Sequence, residues 1–425
     1  MSYLTMTNDQ LRDAYKTLVD HFEACKAQNL KLNMARGKPG AKQLDLVSDI
    51  LNCLVDPADC ITNGIDARNY GELAGIPAAK AYWADVLGCK PEQTFVGGSS
   101  SLNIMFDVIS RAYTHGLLHS PRPWCKEEAV KFLCPSPGYD RHFKVTEFFG
   151  AELITVPMTA TGPDMDVVED LVKDPQVKGI WCVPKYSNPD GIIYSDETVA
   201  RFAKLKPAAP DFAIMWDNAY CVHEFEGDYV PFPDIISLCE AEGNGDMVYE
   251  FASTSKITLP GAGISVLASS KANIDYFQSL FGIQMISHDK INQLRHVMYL
   301  QNKFHTLEIM KRHAAVLAPK FRLVVETLER EIAPCGFGQW NCPKGGYFVS
   351  CNTMPGTAKR ALALCKEAGV VMTPAGATFP YGKDPQDSNI RIAPSLPPVE
   401  ELEKAMDVFC TCLKLAALEK LLEIH

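Results

Sequence analysis

One lysine stands among small hydroxyls in STSKITLPG, residues 253 to 261, directly after the strand-like run DMVYEFA. Taken alone, Lys256 is most simply a solvated loop lysine. A lysine that attacks a carbonyl needs this kind of setting, because its amine must be partly desolvated to lose its proton. Three further polar signals follow or open apolar runs. VPKYSNPDG comes after GIWCV and offers Asn188. WDNAY closes FAIMWD and offers Asp217 and Tyr220. GGSSSLN is a Gly-Ser turn that opens a helix. Each has an ordinary reading as a turn or a helix cap. Ordered together at strand ends, they share one chemistry.

That chemistry is the chemistry of pyridoxal 5'-phosphate (PLP). An aldehyde needs an amine for a Schiff base, and Lys256 supplies it. A pyridine ring drains electrons only when its nitrogen is protonated, and the carboxylate of Asp217 would maintain that proton. Asn188 and Tyr220 are placed as partners of the phenolic oxygen. The free N–H groups of a helix N-terminus hold phosphate, with Ser99, Ser100 and Ser101 as candidates and the Ser253 and Ser255 hydroxyls beside them.

These residues require a scaffold that brings strand ends together. From about residue 90, strand-like runs (QTFVGG, AVKFLCP, AELITVPM, VKGIWCVP, FAIMWD, DMVYEFA, ISVLAS) alternate with helical patterns. Several lack polar alternation, which marks a mostly parallel sheet buried on both faces. Ser195 is the expected N-cap of the helix SDETVARFAKL. Residues 288 to 333 are strongly helical, with two helices divided near Pro319 expected. GGYFVS, NIRIAPS and a last helix whose first turn is expected to hold Pro397 and Pro398 form a different, α+β piece. The fold expected is α/β, with a large PLP-binding domain over residues 56–310 and a smaller α+β domain made from residues 1–55 and 311–425.

Composition narrows the function classes. The 425 residues are 47% hydrophobic and 22% charged, as in a globular chain with a sizeable core. The net charge of -10 disfavours nucleic acid and anionic membranes as partners. The 15 cysteines are odd in number, irregularly spaced and without a C-x-x-C pair, the usage of reduced, buried thiols. Cys410 and Cys412 are two apart on a helix and face different directions, so no metal site is expected. No apolar run reaches the ~20 residues that span a bilayer, and no leader pattern opens the chain. A soluble, cytoplasmic protein is expected.

The signals GGSSSLN, PSPGYDRHF, SNPDG, DNAY, STSKI and NIRIAPS stand in an order that resembles the fold-type I PLP enzymes of aminotransferase class I/II, over roughly residues 34 to 410. ARGKPG, RNYGELAG, PGYDRHF and NQLRH look closest to the aspartate aminotransferases of subgroup Ic. The resemblance implies ping-pong transamination between an L-amino acid and a 2-oxo acid, L-aspartate and 2-oxoglutarate in that subgroup. It implies Lys256, Asp217 and Tyr220 as catalytic, Tyr139 stacked on the ring, and Gly37, Asn188 and Arg391 at the substrate carboxylate. It implies a homodimer in which Tyr70 reaches the phosphate of the neighbouring copy. For a side-chain carboxylate the candidate cations are Arg36, Arg141, Lys290 and Arg295. One departure stands out: the family places an arginine about eight residues after the lysine, whereas KITLPGAGISV has none. Two alternatives share the scaffold. One is other PLP chemistry, a β-lyase or decarboxylase. The other is a non-catalytic regulator, which the acidic balance and the short segment before ARGKPG oppose.

Overall fold

Runs such as GIWC and AIMW are stable as strands only where both faces of the sheet are covered. The computed structural model, which describes residues 2–424, covers them with helices. The central sheet has eight strands: β1 (Thr94–Gly97), β2 (Lys131–Ser136), β3 (Glu152–Thr159), β4 (Gly162–Pro163), β5 (Val177–Cys182), β6 (Ala213–Asp217), β7 (Val248–Ser253) and β8 (Ser265–Ser269). Their order is β1-β8-β7-β6-β5-β2-β3-β4. From β7 to β3 every neighbour is parallel. Only β8 and the short β4 run against their neighbours. The mostly parallel α/β sheet expected from the apolar runs is present.

Side chains alternate across the sheet with the period of two that a strand imposes. Ile180, Ile214, Trp216 and Val266 enter the apolar cluster on one face. Phe132, Trp181, Met215 and Phe251 enter the cluster on the other. A third cluster draws on both chain ends, with Leu11, Phe22, Phe321, Val349, Ile390 and Phe409 among its members. Val183, Tyr186, Tyr220 and Phe225, from the loops after β5 and β6, join this third cluster. The loops at the strand ends therefore form the seam between the two bodies of packing.

The helices that matter for the site are α1 (Asn8–Ala27), α2 (Ser101–Thr114), α3 (Asp140–Phe148), α4 (Lys290–Leu300), α5 (Lys303–Glu331) and α6 (Val399–Leu421). A second sheet, β9 (Gln339–Trp340), β10 (Val349–Asn352) and β11 (Asn389–Ile392), is antiparallel. Ser195 caps its helix, accepting from the Thr198 N–H at 3.1 Å. The long helical stretch is divided elsewhere than expected. The break falls at Gln301, whose φ is +59°, and Asn302 caps α5 by accepting from the His305 N–H at 2.9 Å. Pro319 lies inside α5. A proline removes one N–H bond from a helix, and the buried neighbours Leu317, Lys320 and Phe321 hold the helix through it. Pro397 and Pro398 precede α6 instead of forming its first turn. All fifteen cysteines are free, and Cys410 and Cys412 are both buried. Among the described residues, no helix is long and apolar enough to cross a membrane.

Two buried polar contacts fix the loops that leave the sheet. Lys185, fully buried, pairs with Glu224 at 2.5 Å and donates to the carbonyls of Cys221 and Val230. This ties the loop after β5 to the loop after β6. Asn218 donates its backbone N–H to the Phe251 carbonyl at 2.8 Å and its side-chain amide to Glu250 at 2.9 Å.

Glu250 gives a pH signature. Burial pushes its carboxyl up to about 8, and the Asn218 bond offsets only part of that. The folded protein therefore keeps a proton that the unfolded chain gives up. The associated stability is complete below the ordinary carboxyl range and is lost as pH rises through about 8. Glu250→Gln is expected to flatten this fall, with a gain on the order of a few kcal/mol at the alkaline end. Urea midpoints for both proteins at acidic and alkaline ends of the window measure it; parallel pH profiles would contradict it.

Candidate active site

Strand register explains why residues far apart in the chain meet. Cys182 on β5 is paired with Trp216 on β6, and Asp217 with Phe251 on β7. The three strands end nearly level, and each following segment turns out over the same edge. Asn188 lies in the loop after β5, Asp217 closes β6, and Lys256 lies in the turn after β7. The N-terminus of α2 opens there too, after β1. Open parallel sheets place their ligands at this edge.

A cavity of about 370 Å³ lies over it. Of the residues singled out in the sequence, Arg36, Gly37, Ser100, Ser101, Tyr139, Arg141, Asn188, Asp217, Tyr220, Ser253, Ser255, Lys256 and Arg391 line this one space. Ser99 does not; its side chain is exposed, and only its carbonyl takes part, accepting from the Ser255 hydroxyl at 3.3 Å. Tyr70 is 82% exposed and lies outside the cavity. Lys290 and Arg295 do not reach it either. Lys290 is buried and donates to Ser287 at 3.1 Å, and Arg295 bonds the Asn292 side chain. The first turns of α4 direct both inward, which NQLRH alone does not reveal.

Lys256 is half-buried, with Nζ 5.2 Å from the Tyr220 ring centroid and 5.6 Å from that of Tyr347. Burial lowers the proton affinity of its amine, and the Asp217 carboxylate restores part of it. The result is an amine more easily deprotonated than a surface lysine. Burial also drives the Tyr220 phenol far up, reinforced by the charges of Tyr139 and Asp217, so it stays a protonated donor. The Tyr139 phenol is pushed up to about 12, by burial first and then by Asp217 and Asp140.

Asp217 is 3% exposed. Its Oδ2 is 2.8 Å from His142 Nε2, and its Oδ1 has no hydrogen-bond partner among the described residues. His142 is held in turn by Trp181, on which it stacks at 4.4 Å with planes 9° apart, and by the edge of Tyr139 at 4.9 Å. A buried carboxylate oxygen without a donor is costly. Here it borders a cavity, so a ligand carrying a proton on nitrogen satisfies it.

Arg391 enters from β11 and is 6% exposed. Its Nη1 donates to Asp140 Oδ1 at 2.9 Å and to Asn188 Oδ1 at 3.2 Å. Nη2 has only a 3.5 Å contact to Thr373, and Nε has no partner among the described residues. The guanidinium lies 4.7 Å from the Phe348 ring centroid. The Nε–Nη2 edge is thus the weakly used one, and that edge matches a carboxylate two-to-two. Gly37 closes the same wall: a Cβ there would stand 2.7 Å from the Phe348 ring.

Sequence reasoning missed His142, Asp140, Lys38 and Phe348 as parts of this site. His142 and Asp140 stand inside the quoted PGYDRHF, three residues and one residue after Tyr139. Helical spacing there points His142 at Asp217, but a role for it required knowing that β6 ends alongside. Asp140 meets Arg391 across 251 positions of sequence, which no local signal shows.

Comparison with known proteins gives a consistent result. A family model described as aspartate amino-transferase matches residues 6–425. An aspartate aminotransferase of Corynebacterium glutamicum is 49% identical over 399 residues, covering 94% of this chain and 92% of that one. The crystal structure of an aspartate transaminase from Corynebacterium glutamicum superimposes with a TM-score of 0.96 at 47% identity, covering 99% of each chain. A Thermus thermophilus α-aminoadipate aminotransferase complexed with N-(5'-phosphopyridoxyl)-L-leucine shares the fold, with a TM-score of 0.72 at 20% identity over 93% of this chain and 95% of that one.

The His142–Asp217 contact can be tested as a structural pair. His142→Ala strips Asp217 Oδ2 of its partner in a buried setting and is expected to cost about 1–3 kcal/mol. Combining it with Asp217→Asn should be less than additive, because the second change removes the stranded charge. Denaturation of the four proteins of the cycle measures the coupling; strict additivity would show that the two side chains do not interact.

Proposed function

We propose, for a chain that belongs to the aspartate aminotransferase family and is an aminotransferase, that it exchanges amino groups between L-aspartate and 2-oxoglutarate with PLP bound at the described cavity. The observation that carries this reading is the convergence of Lys256, the unpartnered Asp217 Oδ1 and Arg391 on one cavity. The residues fit the cofactor. The partnerless Asp217 oxygen calls for a protonated ring nitrogen, and the depressed basicity of Lys256 suits an amine that must bond to an aldehyde. Bound there, PLP supplies an aldehyde carbon for an amine and a ring that withdraws electrons from the substrate Cα.

The chain's own groups do the remaining work. The Lys256 amine would serve as the base that takes the proton from the substrate Cα and as the acid that gives one back. Asp217, steadied by His142, would keep a proton on the ring nitrogen. Tyr220 and Asn188 would donate to the ring oxygen, and Tyr139 would cover a ring face. The hydroxyls of Ser100, Ser101, Ser253 and Ser255, with the first N–H groups of α2, would hold the phosphate. The stretch KITLPGAGISV that begins at Lys256 has no arginine to assist them. A homodimer would add Tyr70 from the second copy, a role its 82% exposure supports.

Arg391 reads the α-carboxylate through its Nε–Nη2 edge, while Asp140 and Asn188 hold Nη1 in place. Of the four candidate cations for a side-chain carboxylate, Arg36 and Arg141 line the cavity. This favours a dicarboxylate over a small or aromatic substrate.

Two measurements test the reading. Lys256→Ala is expected to abolish turnover and the near-visible absorbance of the purified protein; retention of both would remove the lysine from the mechanism. Arg391→Ala is expected to lower kcat/KM by roughly 100-fold or more for aspartate and for alanine alike, since both carry an α-carboxylate. Removing Arg36 or Arg141 should instead lower kcat/KM for aspartate and spare alanine. A wild-type preference for alanine or aromatic amino acids would overturn the dicarboxylate assignment.

A further inference from the structure

Away from the cavity, three side chains from the two ends of the chain meet. His21 and Cys25 lie one helical turn apart on α1, so they share a face. Asp407 comes from α6, which packs against α1. His21 Nε2 is 3.1 Å from Asp407 Oδ2 and 3.7 Å from Cys25 Sγ, and Cys25 Sγ is 3.9 Å from Asp407 Oδ2. A point roughly 2.0–2.3 Å from all three atoms lies near the centre of that triangle, and those are the bond lengths zinc takes to nitrogen, oxygen and sulfur.

A simple ion pair accounts for less than this. It needs only His21 and Asp407, and a thiol 3.9 Å from a carboxylate gains little from hydrogen bonding. The arrangement is layered. Cys25 is 1% exposed, whereas the side chains of His21 and Asp407 are 47% and 56% exposed. The sulfur forms the floor, the other two donors form the walls, and the outer side faces solvent. The donor set also discriminates among cations. Thiolate and imidazole suit zinc and related borderline ions; magnesium and calcium prefer all-oxygen shells.

We propose that His21, Cys25 and Asp407 bind one zinc ion that fastens α1 to α6, with a water molecule as the fourth ligand. Cys25 releases its proton to solvent on binding, and His21 coordinates through Nε2 with its remaining proton on Nδ1. The site joins the first long helix of the chain to the last. It is independent of the transamination reading, because none of the three residues lines the cavity.

The test uses the full-length, tag-free, PLP-loaded protein after removal of bound metal. Zinc is titrated in competition with a chromophoric chelator, and cobalt(II) serves as the spectroscopic probe. One equivalent of zinc is expected, and cobalt should give the intense visible bands of a four-coordinate site, at wavelengths where the cofactor does not absorb. Cys25→Ser should abolish those bands and weaken zinc by roughly 100-fold or more. His21→Gln and Asp407→Asn should each weaken it by about tenfold or more. Zinc should raise the unfolding midpoint of the wild type and not of Cys25→Ser. Absence of a stoichiometric site, or binding undiminished in Cys25→Ser, would overturn the proposal. If Cys25→Ser does not fold, the half-exposed His21→Gln decides in the same way: undiminished binding means the metal sits on other thiols.

Discussion

A buried carboxylate with one oxygen paired and the other left open is the constraint on which the rest of this structure turns. Asp217 cannot sit at 3% exposure without a partner, and His142 provides one at 2.8 Å. Trp181 and Tyr139 then hold the imidazole from its face and its edge. These residues come from three segments: Asp217 from the end of β6, Trp181 from near the end of β5, and His142 and Tyr139 from the start of α3 and its cap. The parallel register of β5, β6 and β7 is what makes those segments neighbours. Charge at the open oxygen also acts on Lys256, partly countering the effect of burial on its amine. One carboxylate thus sets the needs of the ligand and tunes the lysine beside it.

Arg391 is organised by a different logic. Arg391 belongs to a strand of the smaller sheet, yet its fixed partners, Asp140 and Asn188, belong to loops of the central one. The guanidinium therefore bridges the seam between the two bodies of packing. Asp140 places a carboxylate in the same pocket that would receive one from the substrate. It holds the guanidinium by Nη1, and the other edge stays available. Recognition by a planar fork allows this division, which a point charge such as lysine would not.

Much of this was legible in the sequence because its signals are local. Apolar runs without alternation gave a buried parallel sheet, and the polar residues immediately after them gave the lysine, the carboxylate, the asparagine and the tyrosine of the cavity. Arg391 was legible through the family resemblance that NIRIAPS helps to carry. What was not legible depends on contacts across the chain. His142 acquires its meaning from β6, and Asp140 from β11. Lys290 and Arg295 were misjudged because a helix can direct a cation inward as readily as toward a ligand. The break at Gln301 was also hidden: Pro319 is the stronger sequence signal for a helix end, but packing on both sides of it preserves the helix. Ser99 was included on residue type, while the backbone turn exposes its hydroxyl and uses its carbonyl.

The bridge made by Arg391 has a consequence for biosynthesis. The segment that carries Lys256 and Asp217 is complete well before residue 391 leaves the ribosome. The residues that line the cavity are therefore synthesised at widely separated times, with Arg391 the last of them. Arg391 arrives with the strand that completes the second sheet, ahead of α6. A chain that stopped before residue 389 would lack β11 and with it the guanidinium that bridges the seam.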